Sequence, residues 1–222
     1  MLYLKLYYAM KYIRLFEDFQ LGDLNVMSPE EIKKLFFKEC SKAIPDLELI
    51  RVIIENGLVD VNDAKEIGGF TPLHRVDSVE LAKLLIASGA DVRAKDTYDR
   101  TPLHDAADID NIELAKLLIV SGANVNTKDK FGNTPLHFAV ERDSIAIAKL
   151  LIASGADVNV KDGWGDSTPL HRAVERDRIE LAKLLIDSGA KVNARNVNDR
   201  TPLHWANSDE MIALLKQNGA TL

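Results

Sequence analysis

The sequence predicts an all-α fold built as a stack of helix pairs, and three observations carry that expectation. The tetrapeptide Thr-Pro-Leu-His occurs five times, at Thr71–His74, Thr101–His104, Thr134–His137, Thr168–His171 and Thr201–His204. Its copies lie 30, 33, 34 and 33 residues apart, a near-constant period that marks a solenoid of repeated units. Behind them a second apolar stretch returns in register, variations on I-E-L-A-K-L-L-I-x-S at Val79–Ser88, Ile112–Ser121, Ile145–Ser154 and Ile179–Ser188.

Each tetrapeptide is built to open a helix. Thr can cap the first turn by accepting from a backbone N–H. Pro follows at the first helical position, where its missing N–H costs nothing and its φ is already helical. Leu points inward. His stands three residues after the cap, where its imidazole can bond the Thr hydroxyl or a nearby carbonyl, as Glu does in a capping box.

The second stretches place apolar residues at i, i+3, i+4 and i+7, the stripe of a half-buried helix. Gly89, Gly122, Gly155 and Gly189 supply the left-handed residue that ends each one. A polar extended segment such as Asp157–Asp162 then leads to the next tetrapeptide. The pairs Asp77/Glu80, Asp110/Glu113 and Asp177/Glu180, with Asn207/Glu210 in the last unit, read as capping boxes for the second helices.

Around these repeats the chain divides into four parts. Residues 1–27 match no repeat and hold Tyr3, Tyr7, Tyr8, Tyr12, Phe16 and Phe19; a helix over about 5–19 is expected, covering the exposed end of the first repeat. The alternative is a self-associating or membrane-surface helix. Residues 28–66 read as a degenerate N-terminal capping repeat. Ser28, Pro29 and Glu31 form a capping box for a helix over about 29–43, and Leu47–Asn56 form a second helix ended by Gly57. Residues 67–198 hold four repeats, and 199–222 a short C-terminal capping repeat. There Lys216 replaces the Ile of earlier units, which suits a solvated end and a finished array.

Two repeats are short. Nine residues separate His104 from Glu113 and His171 from Glu180, but only six separate His74 from Glu80 and His204 from Glu210. The first helices of these two repeats should therefore lose about one turn. In the opposite sense, Ser167 or a neighbour is an extra residue in the turn Asp162–Ser167.

The pattern closely resembles the ankyrin repeat family over roughly residues 46 to 222, on five copies of a specific tetrapeptide in register. The resemblance implies an ankyrin-type solenoid of about six repeats including divergent caps, with antiparallel helix pairs, short projecting β-hairpins and a concave face. It also implies a non-catalytic role in binding another protein, as a scaffold or adaptor. Proteins of this type include both eukaryotic scaffolds and bacterial effectors delivered into host cells, so a cytoplasmic or host-cytosolic location is expected.

Bulk composition fits. Hydrophobic content of 46% and charged content of 28% describe a globular chain, and a net charge of −6 argues against a general affinity for nucleic acid. The single cysteine, Cys40, excludes an internal disulfide framework and suits a reducing compartment; among apolar neighbours it reads as a buried inert thiol, with a reactive thiol as the alternative. No run of 18 apolar residues is present, so no membrane span is expected, and a monomer is anticipated.

No residue set points to catalysis, cofactor or metal. All five histidines lie in the tetrapeptides, about a helix diameter (~10 Å) apart, too far to share one ion. Asp105, Asp108 and Asp110 cluster, but without the enclosed pocket that raises a carboxyl pKa.

Function is therefore sought on positions the repeat leaves free. Tyr98, Phe131 and Trp164 occupy one register at successive turn tips, with Ile67 before and Asn198 after. They either form an exposed anchoring row or pack against neighbouring tips. On the first helices the concave positions read Asp105, Asp108 and Ile109; then Phe138, Glu141 and Arg142; then Arg172, Glu175 and Arg176; Arg75 and Trp205 begin the short repeats. Arginine beside aromatic residues suits a carboxylate-bearing partner, and a solvated face of self-cancelling pairs is the alternative.

Overall fold

The computed structural model describes residues 27–62 and 68–221, which fall into two compact units, Met1–Ala94 and Lys95–Leu222. The helix expected near residues 5–19 lies outside the described residues. Among those described there are ten α-helices and two 3-10 turns and no strand, so the fold is all-helical.

The first unit holds α1 (Pro29–Cys40), α2 (Leu47–Glu55), a 3-10 turn (Pro72–His74) and α3 (Val79–Ala87). The capping box that opens α1 is present: the Ser28 amide donates to Glu31 Oε2 at 2.7 Å and the Glu31 amide to Ser28 Oγ at 3.4 Å. That backbone bond holds the Glu31 carboxyl below the usual range. α1 ends three residues earlier than expected, because Ser41 turns its hydroxyl back to the Phe37 carbonyl at 2.9 Å. α2 is capped by Asp46, which accepts from the Leu49 amide at 2.9 Å. Phe36, Phe37, Ile50 and Ile53 close this core. Cys40 is buried with them, and burial pushes its thiol up to about 12, leaving it inert.

The second unit stacks α4 (Pro102–Asp108), α6 (Pro135–Glu141), α8 (Pro169–Glu175) and a 3-10 turn (Pro202–Trp205) in one layer. The other layer is α5 (Ile112–Val120), α7 (Ile145–Ala153), α9 (Ile179–Asp187) and α10 (Asp209–Gln217). Between them lie Leu103, Leu136 and Leu170 from the tetrapeptides, with Leu118, Leu151 and Leu185, all fully buried. Each such Leu contributes about 1.5–3 kcal/mol. Alanines at 106, 139 and 173 and at 115, 148 and 182 let the layers approach closely.

Both short repeats have a single 3-10 turn of three or four residues where the others have a seven-residue α-helix, matching the missing turn. Ser88, Ser154 and Ser188 form C-caps, each hydroxyl donating to a carbonyl four residues back at 2.7–2.8 Å, and the following glycines take positive φ.

Three expectations are corrected. Among the described residues the projecting elements are turns and not β-hairpins. Each is closed by one cross-loop pair, such as Asp96 N–H to the Arg100 carbonyl at 2.9 Å, and a buried side chain takes the remaining amides. The second helices have no capping boxes: a single side-chain cap stands one residue later than read, and α9, which starts after Arg178, has none. Ser78, Asn111, Ser144 and Ser208 cap through their side chains, and Asp110, Asp143 and Asp177 instead hold left-handed turns at φ 58, 60 and 55. Asp tolerates that region better than branched residues do. Finally, the extra residue falls between Gly163 and Asp166: Gly163 repeats the bonding of Lys130 and Asp166 the positive φ of Gly132, so Trp164 and Gly165 together stand where Phe131 stands alone.

Candidate recognition surface

Two of the tetrapeptide histidines link one repeat to the next. In every copy the Thr amide donates to His Nδ1, at 3.0–3.2 Å, and the Thr hydroxyl lies 2.8–3.1 Å from the same atom. An amide can only donate, so Nδ1 is unprotonated and Nε2 carries the proton. His104 Nε2 then donates to the Asn133 carbonyl at 3.3 Å and His171 Nε2 to the Arg200 carbonyl at 3.2 Å, each just ahead of the next Thr. His137 faces the lengthened loop, and its Nε2 makes no such hydrogen bond among the described residues. Burial drives His104 down to about 4 and His137 to about 3, and it lowers His171.

An asparagine ladder adds a second link. The side-chain amides of Asn126, Asn159 and Asn193 donate to the carbonyls of Gly155, Gly189 and Gly219 at 2.9–3.0 Å, and their oxygens accept from the amides of Asp157, Lys191 and Thr221. Asn62 does the same within the first unit, with Gly89 and Asp91.

The loops that carry the aromatic residues are organised by buried acids. Asp96 Oδ1 accepts from the amides of Tyr98 and Arg100, and Asp129 Oδ1 from those of Phe131 and Asn133, at 2.7–2.9 Å. Asp162 Oδ1 accepts from Trp164, Gly165 and Ser167 at 3.1–3.2 Å, and its Oδ2 from Arg172 at 2.8 Å. Burial alone would raise the Asp162 carboxyl, but Arg172 and these amides outweigh it and hold it low. Sequence reading passed over these acids as turn polarity. Their spacing, two residues before each aromatic residue, was the signal available.

So held, the three rings form one row. Tyr98 and Phe131 stack at 6.1 Å between centroids, and Phe131 and Trp164 at 5.4 Å, with planes 27° and 28° apart. Backbone bonds join the loops in series: Lys130 N–H to the Tyr98 carbonyl at 2.8 Å, Gly163 N–H to the Phe131 carbonyl at 2.7 Å, and Val197 N–H to the Gly165 carbonyl at 3.0 Å. The rings pack on each other and yet remain open to solvent, Tyr98 at 49%, Phe131 at 37% and Trp164 at 74%, and Val197 extends the edge.

The first-helix residues behave differently. Arg142 pairs with Asp108 at 2.8 Å, Arg176 with Glu141, and Arg178 with Asp143 at 2.9 Å, each joining adjacent repeats. Arg172 is mostly covered and bonds Glu141, Asn133 and Asp162 together, tying the Trp164 loop to the helix layer. Asp105 lies 3.3 Å from Arg100. Phe138 meets the His104 ring edge-on at 5.6 Å, Trp205 sits under Arg200 at 5.3 Å, and Ile109 is exposed. The structure thus brings Tyr98, Phe131 and Trp164 into one surface, while the arginines are engaged within the protein.

Comparison with known proteins identifies the class. The profile of the family described as "Ankyrin repeats (3 copies)" matches residues 75–162 and 163–222, so the chain belongs to the ankyrin repeat family. It is also similar to "Ankyrin repeat protein OPG189" of monkeypox virus, 36% identical over 72 residues, which is 31% of this chain and 12% of that protein. The match thus spans a small part of the viral protein. Among the described residues, no helix is long and apolar enough to cross a membrane.

Proposed function

We propose that this chain is a non-catalytic binding module that recognises another protein along the row Tyr98, Phe131 and Trp164. The observation that carries the reading is a continuous aromatic stack left open to solvent on rigidly tied loops. Aromatic side chains on a pre-organised surface are the usual anchors of interfaces, because their ordering cost is already met. Membership of a family whose repeats generally mediate protein interactions supports it. Asp105, Ile109, Phe138, Arg142, Arg176 and Trp205 form the neighbouring face against which a larger partner would rest, and Arg172 holds the loop beneath it.

Affinity capture from the cytosol of the native cell tests the proposal. Wild type is compared with the Tyr98→Ala/Phe131→Ala/Trp164→Ala variant, after circular dichroism shows that its helices are intact. A protein retained by wild type and lost from the variant supports the row as the recognition edge. Retention by both sinks it.

A further inference from the structure

The chain carries a net charge of −6, yet its aromatic edge is lined with cations. One residue ahead of each buried loop acid or amide stand Lys95, Lys128, Lys161 and Arg195, all exposed. Three of these are paired inside their own loops: Lys95 with Asp99 at 3.9 Å, Lys161 with Asp166 at 3.1 Å and Arg195 with Asp199 at 2.7 Å. The middle loop breaks the pattern, because Gly132 stands where the others have Asp. Lys128 reaches the Lys161 carbonyl at 2.9 Å instead, and among the described residues neither Lys128 nor Lys130 has a carboxylate at ion-pairing distance. The acid between them, Asp129, is buried and spent on the amides of Phe131 and Asn133.

Phe131, the central ring, is therefore flanked by two cations without an acidic partner, beside an aromatic stack and the exposed Val197. We propose that this edge takes an extended acidic peptide segment of the partner. Its carboxylates meet Lys128 and Lys130, and an aliphatic or aromatic side chain lies against Phe131 and Trp164. The inference rests on the reading of the row as the partner site and adds the partner's chemistry to it. Carboxylates there complete charge pairs that the protein leaves open, in a geometry that steers an acidic ligand and disfavours a basic one. Single-stranded nucleic acid is the poorer fit, because two lysines on a chain of net charge −6 make no basic track for a phosphate backbone.

The test is a selection of short random peptides displayed on phage against the full chain, followed by titration of the survivors as labelled peptides. The expected survivors carry Asp or Glu beside Leu, Phe or Trp and weaken with added salt. They lose at least about tenfold in affinity on Lys128→Glu/Lys130→Glu, an exposed change that leaves the core untouched, and also on Trp164→Ala. Neutral or basic survivors that need Trp164 but ignore the lysine changes overturn the acidic-ligand inference and spare the row. Survivors indifferent to both, or none at all, overturn both readings. Displacement of the peptides by oligothymidylate at equal concentration also contradicts the proposal.

Discussion

The Phe131 carbonyl accepts the Gly163 amide at 2.7 Å, and the two loops joined by this bond also stack Phe131 on Trp164. The approach is possible because residue 132 has no side chain. A Cβ at Gly132 would lie 2.4 Å from the Gly163 nitrogen and 2.9 Å from the Asp162 carbonyl carbon, on a backbone with φ of +74°. Gly132→Ala should therefore push the two loops apart and cost about 1–3 kcal/mol, seen as a fall of several degrees in the thermal midpoint and a loss of near-ultraviolet aromatic dichroism. An unchanged midpoint would mean the loops are not in this contact in solution.

Asp162 should show a graded response. Asn196 already performs the same task in the last loop, its side-chain oxygen accepting from the amides of Asn198 and Arg200 at 2.9 and 3.1 Å. Asp162→Asn keeps those acceptor positions and loses the Arg172 ion pair, a cost of about 1 kcal/mol. Asp162→Ala strands three amides and takes from Arg172 one of its three partners, at about 2–4 kcal/mol. Denaturant titration distinguishes them; equal losses would show that charge alone matters.

The exposed pair between Arg142 and Asp108 should matter little to stability. Its side chains are 55% and 29% exposed, so solvent screens the attraction. Arg142→Ala should change unfolding by less than about 1 kcal/mol, measured under the same conditions. A loss as large as that of Asp162→Ala would show a deeper role in joining repeats.

The histidines predict a pH dependence. His104 and His137 have folded pKa values near 4 and 3, below the unfolded value of about 6.5, chiefly because they are buried. As pH falls below about 6.5 the unfolded chain takes up protons that the folded chain refuses. Stability is therefore full above that pH and declines toward 4 and below, by a few kcal/mol for each group. Unfolding midpoints compared at neutral pH and near pH 4.5 should show this decline. A flat profile would contradict the buried neutral imidazoles.

Much of the fold was legible because each repeat states its own local rules. Thr-Pro-Leu-His, the Leu-rich second helix and the closing Gly act within a few residues, so their signals survive without tertiary information. The missing turns at Pro72–His74 and Pro202–Trp205 could likewise be counted from His-to-Glu spacing. What spacing could not show was backbone hand: Asp110 looks like a helix cap, but it holds a left-handed turn one residue earlier. The aromatic row was half legible, since register brought Tyr98, Phe131 and Trp164 together. Whether the rings would stack or face solvent depended on Asp96, Asp129 and Asp162, whose partners are backbone amides invisible in sequence. For the arginines the sequence leaves a partner-facing role and self-cancelling pairs both open, because the pairs that form, such as Arg176 with Glu141, join residues 35 apart in different repeats.

The measurement that bears most directly on the central claim is hydrogen–deuterium exchange on the chain with and without its captured partner. The account predicts new protection at the loops holding Tyr98, Phe131 and Trp164, with the amides of α9 unchanged. Protection confined to α4, α6 and α8, or to α5, α7 and α9, would contradict it.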